Sequence, residues 1–422
     1  MLNRRTFLSL AGAAWLPALA QAATPSVKRC IVLWMSGGPT QTDTFDLKPG
    51  HANGGLFRPI KTTVPDLMIG EHLPKMAERM KQVAVVRSMA TREGDHGRAT
   101  QHMHLGYLPQ GAIEFPTFGS LVAKERDRAE ADLPGFVSIS ARGITPAALS
   151  PGFLGPRFAP LIVGSQPRED GVFSDDDSGL TVENLARPAS VSDVRAKERL
   201  SLFDDLQREF RDAHPGTATA SHQSAYERAQ RLMRDSAARA FRLNDEREDV
   251  RDRYGRNRFG QGCLLARRLV ERDVPFVEVS LGGWDTHTDN FNQVKNLCGT
   301  LDGAWSMLLD DLDARGLLES TLIVWLGEFG RTPVINPRSG RDHFPNAWSM
   351  ALAGAGIKGG QAVGRTSKDG MTVEDRPVSI PDLLATICVS LGIDPEKQNM
   401  SNVNRPIRIV DTGAKPIREV LG

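Results

Sequence analysis

The sequence lacks the closely spaced cysteines of a thiolate metal site. Its four cysteines stand far apart and form no Cys-x-x-Cys pair: Cys30, Cys263, Cys298 and Cys388. A zinc site built from thiolates needs such residues at short spacing, so the sequence does not indicate this class of site. We expect the four side chains to be small buried apolar groups. An oxidising periplasm would permit one disulfide, but the sequence does not pair the cysteines.

The sequence also lacks an excess of charge of either sign. Its 422 residues include 52 basic and 51 acidic side chains, and the formal net charge is +1. This balance gives no support to a nucleic-acid-binding surface. With 40% hydrophobic and 24% charged residues, the composition is that of an ordinary soluble globular protein. No internal repeat or low-complexity segment occurs in the chain.

Long apolar runs are lacking outside the N-terminal segment, residues 1–22. This segment joins the Arg4-Arg5 pair to an Ala/Leu-rich stretch that ends in small-x-small sequences, as an export signal peptide does. Its Arg-Arg-x-Phe-Leu sequence resembles the twin-arginine signal; the alternatives are an ordinary secretory signal or a retained anchor. We therefore expect the twin-arginine machinery to export the protein to the periplasm or cell exterior. No later run reaches the ~18 residues of a membrane-spanning helix, so we expect no membrane span in the mature chain.

The rest of the chain, residues 23–422, alternates apolar runs with amphipathic stretches. Apolar, β-rich runs bounded by Gly and Pro recur along it: residues 30–35, 83–87, 275–281 and 321–326. Such runs are typical of core strands in an α/β sheet. Residues 192–252 are rich in charge and alanine, and Pro215-Gly216 divides them into two helical stretches. We predict one α/β domain with a helical insertion at about 183–256 that packs beside the sheet and supplies no ligand.

A polar segment follows the predicted strand at 321–326. It begins with the sequence GEFGR, and a loop rich in Pro, Asn and Gly then leads to Arg341, Asp342 and His343. In open α/β sheets, ligands bind in the crevice beyond the carboxyl ends of the strands. Glu328 and Arg331 of the GEFGR sequence are therefore candidate site residues, together with those three. The alternative is a carboxylate–arginine network that only holds a loop.

A second polar segment, GGWDTHTDN, follows the predicted strand at 275–281. Zinc and similar ions take carboxylate and imidazole ligands together. Asp285 and His287, which stand behind the paired glycines, are therefore candidate metal ligands. Asp289 instead fits the alternative interpretation, in which it is the N-cap of the following helix.

Two further segments carry polar residues after a predicted strand. SGGPTQTDTFD, residues 36–46, has glycines that allow the backbone to approach a ligand closely, and Asp43 is its candidate ligand. The segment lacks the Gly-Lys-Ser/Thr of a Walker loop. After the strand at 83–87, a helix is expected to begin near His96. On such a helix His96 and Thr100 share one face, as do Thr100 and His104.

Four motifs occur in order over most of residues 23–422: SGGPTQTDTFD, GGWDTHTDN, GEFGRTP and GRDH. Together they resemble the bacterial family called domain of unknown function 1501. That family in turn resembles, more distantly, the alkaline phosphatase and sulfatase superfamily. The resemblance implies a central, mostly parallel β-sheet flanked by helices, with metals at the strand ends. It also implies hydrolysis of phosphate or sulfate esters with one or two divalent ions and a Ser, Thr or modified-Cys nucleophile.

The resemblance carries over to some metal-ligand positions and not to others. Asp285, His287 and His343 resemble the Asp-His-His set of one metal site, although the Asp-to-His spacing is shorter than usual. In the second metal site of the superfamily, the Asp that follows the first strand aligns near Ser36 or Gly37, so Asp43 would have to take its place as a ligand. The Asp-His pair of that second site aligns with Glu328-Phe329, so this chain lacks the histidine. Asp342 would be a ligand or would orient a neighbouring imidazole.

The nucleophile implied by the resemblance is also altered in this chain. His96 falls where a hydroxyl or thiol belongs, so it is a candidate nucleophile, general base or ligand, and Thr100 is the alternative nucleophile. Arg331 and Arg341 would clamp the anionic group of the substrate, because guanidinium matches such groups well. The divalent ion would be zinc, manganese or calcium.

The sequence therefore predicts an exported sulfatase- or phosphatase-like protein that would hydrolyse phosphate or sulfate esters with a divalent metal. The substrate would be an anionic small-molecule or glycan ester. The alternative is a non-catalytic binding or assembly protein of the cell envelope that keeps the fold with a degenerate site. Five candidate residues follow predicted strands, so we expect them to converge in one crevice: Asp43, His96, Asp285, Glu328 and His343.

Overall fold

The computed structural model describes residues 29–128, 131–141, 143–164, 179–180, 182, 185, 188, 190–214 and 216–422. The predicted export signal, residues 1–22, lies outside the described residues. Within the described part, no helix is both long and apolar enough to span a membrane.

Strands of the described residues form one large sheet and four small two-stranded sheets. In chain order they are β1 (Arg29–Met35), β2 (Pro59–Lys61), β3 (Met68–Gly70), β4 (Val83–Met89), β5 (Phe136–Ile139), β6 (Leu161–Val163), β7 (Phe276–Leu281), β8 (Thr321–Leu326), β9 (Gly330–Arg331), β10 (His343–Phe344), β11 (Trp348–Ala353), β12 (Gln361–Val363), β13 (Arg365–Thr366), β14 (Val373–Asp375), β15 (Gln398–Met400) and β16 (Pro406–Arg408).

The large sheet has eight strands in the order β12-β4-β11-β8-β1-β7-β5-β6. Strand β1 lies near its middle and pairs in parallel with β7 on one side and β8 on the other. Only β11 runs antiparallel to its neighbours, β8 and β4. The predicted central, mostly parallel sheet is therefore confirmed. Because β1, β4, β7 and β8 run in the same direction, their carboxyl ends meet at one edge of the sheet.

The apolar run of β1 is continuous because both faces of the sheet are covered. Alternate side chains of a strand point to opposite faces. Ile31, Leu33 and Met35 accordingly belong to one hydrophobic cluster, whereas Val32 and Trp34 belong to a second one. These two cores hold the sheet between layers of helices.

Helices of the described residues flank the sheet. In chain order the α-helices are α1 (Pro74–Ala77), α2 (His96–Leu105), α3 (Phe118–Glu125), α4 (Asp193–Ala213), α5 (Thr217–Leu232), α6 (Asp235–Ala238), α7 (Glu248–Tyr254), α8 (Arg258–Val270), α9 (Asn290–Ala314) and α10 (Ile380–Ser390). Single-turn 3₁₀ helices lie at Gln41–Asp43, Ala52–Gly54, Met80–Gln82, Pro146–Leu149, Gly152–Leu154, Pro156–Phe158, Arg239–Phe241, Leu243–Asp245, Leu318–Ser320 and Arg418–Val420.

Capping residues fix where the helices near the strand ends begin. Asp95 caps α2, because its side chain accepts a hydrogen bond from the backbone N–H of Arg98 at 3.0 Å. Ser379 and Asp382 form a capping box at the start of α10. Asp289 occupies the N-cap position of α9, but its side chain accepts from the Asn292 side chain instead of a backbone N–H. Its predicted capping hydrogen bond is therefore not formed.

The charged segment at 192–252 contains the two expected long helices, α4 and α5. Helix α4 has no buried residue and contacts α5 through the stacked rings of Phe203 and Tyr226. Among the described side chains of this segment, those in the hydrophobic core begin at Leu232. Its two histidines, His214 and His222, are exposed on the helices.

Candidate metal centre

Loops that follow three parallel strands, β4, β7 and β8, bring the predicted site residues together. The loop after β4 leads to His96 at the start of α2, and the loop after β7 carries Asp285 and His287. Glu328 follows β8, and His343 opens β10, which pairs with the short strand after Glu328. These three strands end at the carboxyl edge of the sheet, where ligands of open α/β sheets bind.

Two glycines allow these loops to approach one another. Gly37, which follows β1, has a φ of +111°, and a Cβ there would lie 2.4 Å from the backbone nitrogen of Asp285. Gly340 precedes the RDH sequence, and a Cβ there would lie 2.0 Å from the carbonyl oxygen of His287. Any side chain at either position would push the loops of Asp285 and His287 away from their neighbours.

Three imidazoles are held in the same way, each through its Nδ1 atom. The Nδ1 acceptors are Glu328 Oε1 at 2.7 Å for His96, Asp342 Oδ1 at 2.7 Å for His287, and the Gly94 carbonyl oxygen at 2.8 Å for His343. Each Nδ1 therefore carries the donated proton. When the ring is neutral, its Nε2 atom keeps a free lone pair. Anchored Nδ1–H groups of this kind are what orient histidine ligands of metal ions.

The three Nε2 atoms surround the carboxylate of Asp285. Asp285 Oδ1 lies 3.0 Å from Nε2 of His287, 3.3 Å from that of His96 and 3.4 Å from that of His343. The Nε2 atoms of His287 and His343 are 3.0 Å apart. Tetrahedral zinc with bonds of 2.0–2.1 Å would separate its donor atoms by about 3.3 Å. The observed spacing therefore fits a small divalent ion.

Unpaired polar atoms at the centre support the same fit. Nε2 of His96 and Oε2 of Glu328 are buried and have no hydrogen-bond partner among the described residues. Buried polar groups are normally paired, so an unpaired one indicates a missing ion, water or ligand. The ligand atoms of His96, Asp285 and His343 all lie within 4.8 Å of one another. One carboxylate with imidazoles is the donor set of zinc and similar ions.

The guanidinium of Arg331 keeps Asp285 ionised. Burial alone would raise the pKa of the Asp285 carboxyl, but Arg331, with help from His96 and His287, outweighs it and lowers this pKa. Arg331 Nη2 donates to Asp285 Oδ1 at 2.5 Å. An ionised carboxylate is the form that binds a cation.

The pKa values of two imidazoles move in opposite directions. Burial lowers the pKa of His343, and the nearby charges of His96 and Arg331 lower it further, so His343 is neutral at pH 7. Burial also lowers the pKa of His96, but Glu328 and Asp285 outweigh it and raise the value. In the absence of a bound cation, the pair of carboxylates thus favours a proton on His96.

Arg331 differs in role from the sequence prediction, which assigned it to an anion clamp. It is fully buried, and its N–H groups donate to the carbonyl oxygens of Gly37, Gly38 and Arg341 as well as to Asp285. Gln41 forms two hydrogen bonds with the Arg331 backbone, at 2.8 and 3.0 Å. Arg331 therefore ties the loop after β1 to the ligand Asp285.

Asp43 and Arg341 also differ from the prediction of a metal ligand and an anion clamp. Arg341 Nε and Nη2 donate to the two carboxylate oxygens of Asp43 at 2.8 and 2.9 Å, and both side chains are inaccessible. Arg341 also donates to backbone carbonyl oxygens of Thr332, Pro333 and Asn53. All five guanidinium N–H groups are thereby engaged, so none is left for a substrate anion.

Thr100, the predicted alternative nucleophile, lies one helical turn beyond His96. It is 3% exposed, and its carbonyl oxygen accepts from Nδ1 of His104. His104 continues the same helix face and pairs with Glu278 at 2.9 Å in the core. Thr100 therefore belongs to the buried packing beneath the centre, and no hydrogen bond between the described site residues involves its hydroxyl.

Some residues that hold or contact the candidate ligands were not identified from the sequence. Gly94 supplies its carbonyl oxygen to His343, and Gln41 orders the backbone of Arg331. The Phe329 ring, which stands where the superfamily has a histidine, contacts the rings of His96 and His343 at centroid distances of 4.9 Å. Phe329 thus forms an apolar wall of the centre, with no metal-binding atom.

Asp342 orients His287 instead of joining the cluster. Its Oδ1 accepts from His287 Nδ1 at 2.7 Å and from Asn336 Nδ2 at 3.2 Å. Asp342→Asn should therefore weaken zinc binding about 10- to 100-fold without removing a ligand. Titration of metal-stripped protein with zinc tests this, and Asp204→Asn, at an exposed carboxylate on α4, is the control. Equal zinc affinities of Asp342→Asn and the control would contradict the orienting role.

The fold and the cluster define a mostly parallel α/β protein with a histidine–carboxylate centre at its strand ends. Residues 27–421 match the family described as "Protein of unknown function (DUF1501)", and the chain belongs to that family. No curated protein matches the chain.

Solved structures similar to the chain include members of the superfamily that its motifs resemble. They include the PsFucS1 sulfatase from Pseudoalteromonas sp., which is 12% identical, with 93% of this chain and 72% of that chain covered and a TM-score of 0.41. A protein in the alkaline phosphatase superfamily from Vibrio parahaemolyticus is 12% identical, with 88% and 68% covered and a TM-score of 0.41. The C-terminal periplasmic domain of EcEptC from Escherichia coli, in complex with Zn, is 12% identical, with 92% and 95% covered and a TM-score of 0.41.

Proposed function

We propose that the protein is a metal-dependent hydrolase of phosphate or sulfate esters. The observation that carries this proposal is the arrangement of three Nδ1-anchored imidazoles around Asp285. Three imidazoles and one carboxylate fit a divalent ion of the zinc type. His96, Asp285, His287 and His343 would hold the ion.

A bound divalent ion would polarise an ester oxygen or acidify a water molecule. The residues of the chain prepare the place for that chemistry. Arg331 fixes the Asp285 carboxylate, and Glu328 and Asp342 fix two of the imidazoles. The Phe329 ring covers one side of His96 and His343 and keeps water from their faces.

Water is the nucleophile that this arrangement favours. His96 is held like a ligand by Glu328, and the hydroxyl-bearing candidate Thr100 is buried beneath it. Glu328 Oε2 is a buried carboxylate oxygen with no hydrogen-bond partner among the described residues. We therefore assign Glu328 to accepting a proton directly from the attacking water through Oε2, because its Oε1 is already held by His96 and Gly37.

Cellular location is also part of the proposal. The Arg4-Arg5 signal segment supports export by the twin-arginine machinery to the periplasm or cell exterior. The substrate would then be an anionic small-molecule or glycan ester of that compartment.

Hydrolysis of simple esters tests the proposed function. Protein loaded with zinc, manganese or calcium should release nitrophenol from p-nitrophenyl phosphate or p-nitrophenyl sulfate, and chelation should stop the release. Asp285→Asn should lower kcat/KM by at least about 100-fold, because it removes the carboxylate ligand and leaves Arg331 uncompensated. Arg365→Gln, at an exposed ion pair with Glu374, is the control.

Absence of hydrolysis with every metal and both esters, in protein shown to bind metal, would reject the hydrolase. The result would favour the alternative, a non-catalytic cell-envelope protein that keeps the fold. Equal activity of Asp285→Asn and Arg365→Gln would instead place the active site elsewhere on the molecule.

A further inference from the structure

A polar cavity adjoins the candidate metal centre. Its volume is about 410 Å³, and it lies where β1, β5 and β7 end. Three serines, three glycines and Arg258 line it, with few apolar side chains between them. A larger cavity of about 470 Å³ lies near the starts of β5 and β7, at the opposite edge of the sheet, and shares no lining residue with the polar cavity.

The wall of the polar cavity and the metal centre share two loops. Ser36 lines the cavity, and the next residue, Gly37, donates its backbone N–H to Glu328 at 2.9 Å. Gly283 also lines the cavity and precedes Asp285 by two residues, which is at most about 8 Å along the backbone. A molecule whose ester group lies at the centre therefore has the cavity directly beside it.

Ser280 is the lining residue that most clearly lacks a partner. It is 5% exposed, and its hydroxyl is buried with no hydrogen bond to any described residue. Buried hydroxyl groups are normally paired. A polar ligand in the cavity would supply the missing hydrogen bond, whereas an apolar ligand would leave the hydroxyl unpaired.

Arg258 is fixed at the wall of the same cavity. Its Nε donates to the Ser140 hydroxyl at 2.9 Å. Ser140 has a φ of +58°, a backbone conformation that side-chain-bearing residues seldom adopt and that is concentrated at ligand sites. A Cβ at Gly164 would lie 2.8 Å from Nη2 of Arg258, so the glycine leaves room for the guanidinium.

We propose that the polar cavity binds an anionic sugar unit, with Ser280 and Arg258 as specificity residues. Sugar hydroxyls pair with serine hydroxyls, and guanidinium is suited to a sulfate or phosphate group. The inference rests on the proposed function: if the ester group is hydrolysed at the metal centre, the alcohol part of the substrate lies in the adjoining cavity. It names the substrate class as esters of sugars that carry a second sulfate or phosphate group for Arg258, in preference to lipid or aryl esters.

Ligand titration of metal-stripped protein tests the sugar site. The probes are glucose 6-sulfate and glucose 6-phosphate, with glucose and cyclohexanol for comparison, and binding is followed by calorimetry and saturation-transfer NMR. The two anionic sugars should bind more tightly than glucose, and cyclohexanol should not bind. Their order of affinity identifies the preferred anion.

The decisive test of the sugar site is the effect of a Ser280 substitution on sugar binding. Ser280→Val should weaken binding of the preferred sugar about tenfold, the value of roughly one hydrogen bond with added steric bulk. Ser349→Val is the matched control, because Ser349 is another buried strand serine whose hydroxyl lacks a partner but lies outside the cavity. Ser280→Ala, which adds no bulk, replaces Ser280→Val if the latter is misfolded by circular dichroism.

Two outcomes would overturn the sugar site: no binding of either anionic sugar by the unaltered protein, or equal binding by the Ser280 variant and the Ser349 control. A failure of the proposed hydrolase can be distinguished from a failure of the sugar site. His343→Ala should lose hydrolysis while keeping sugar binding. A protein that binds the sugar sulfate but hydrolyses no ester would keep the sugar site and reject the hydrolase.

Discussion

Replacing His343 with alanine is expected to abolish tight zinc binding by the metal-stripped protein. The substitution removes one imidazole whose Nε2 lies 3.0 Å from His287 Nε2 and 3.4 Å from Asp285 Oδ1. Changes to residues that only orient ligands cost about 10- to 100-fold in metal affinity, so the loss of a ligand should cost more than about 100-fold. Calorimetric titration with zinc and manganese measures the effect.

A matched substitution separates loss of the ligand from loss of any histidine. His222→Ala removes an exposed histidine on α5 that is not among the residues of the centre, and should bind zinc like the unaltered protein. The acceptor of His343, the Gly94 carbonyl oxygen, is backbone and stays in place in His343→Ala. Equal zinc affinities of the two variants would show that the imidazoles around Asp285 do not form a metal site.

Sequence patterns predicted the edge of the sheet at which the site lies. Continuous apolar runs predicted β1, β7 and β8, because strands buried on both faces have few polar positions. Polar residues directly after these strands then had to meet at the shared carboxyl edge. His96, Asp285, Glu328 and His343 meet there, whereas Asp43, the fifth residue expected in the crevice, pairs with Arg341 instead.

Roles within the site could not be read from the same patterns. Asp43 and Arg341 are 298 positions apart, and only the fold shows that they neutralise each other. Likewise, Glu328 is an acceptor for His96 because the two are neighbours in space, although 232 positions separate them. Local spacing gives no information on such distant pairs. The acceptor for His343 Nδ1 is the backbone carbonyl oxygen of residue 94, which any residue type would provide. The residue type at that position therefore could not reveal this contact.

Breaking the pair of Asp43 and Arg341 should destabilise the protein more than any other single change at this edge of the sheet. Arg341→Gln leaves the Asp43 carboxylate inaccessible to water, and the side-chain partners that remain among the described residues are Thr40 and Asn290. Removing one partner of a buried ion pair typically costs 3–5 kcal/mol, because the other charge stays buried and uncompensated. We therefore expect the free energy of unfolding to fall by about 4 kcal/mol.

Urea unfolding followed by tryptophan fluorescence measures this loss. Arg365→Gln is the control, because Arg365 forms an exposed pair with Glu374 at 3.4 Å, and such pairs contribute less than about 1 kcal/mol. The comparison also decides between the structural role and the anion clamp that the sequence suggested. If Arg341 were an anion clamp on the rim of the site, Arg341→Gln would lower the affinity for phosphate and leave the free energy of unfolding unchanged. Because Arg341 has no N–H group left to offer a substrate, we expect instead a large fall in the free energy of unfolding.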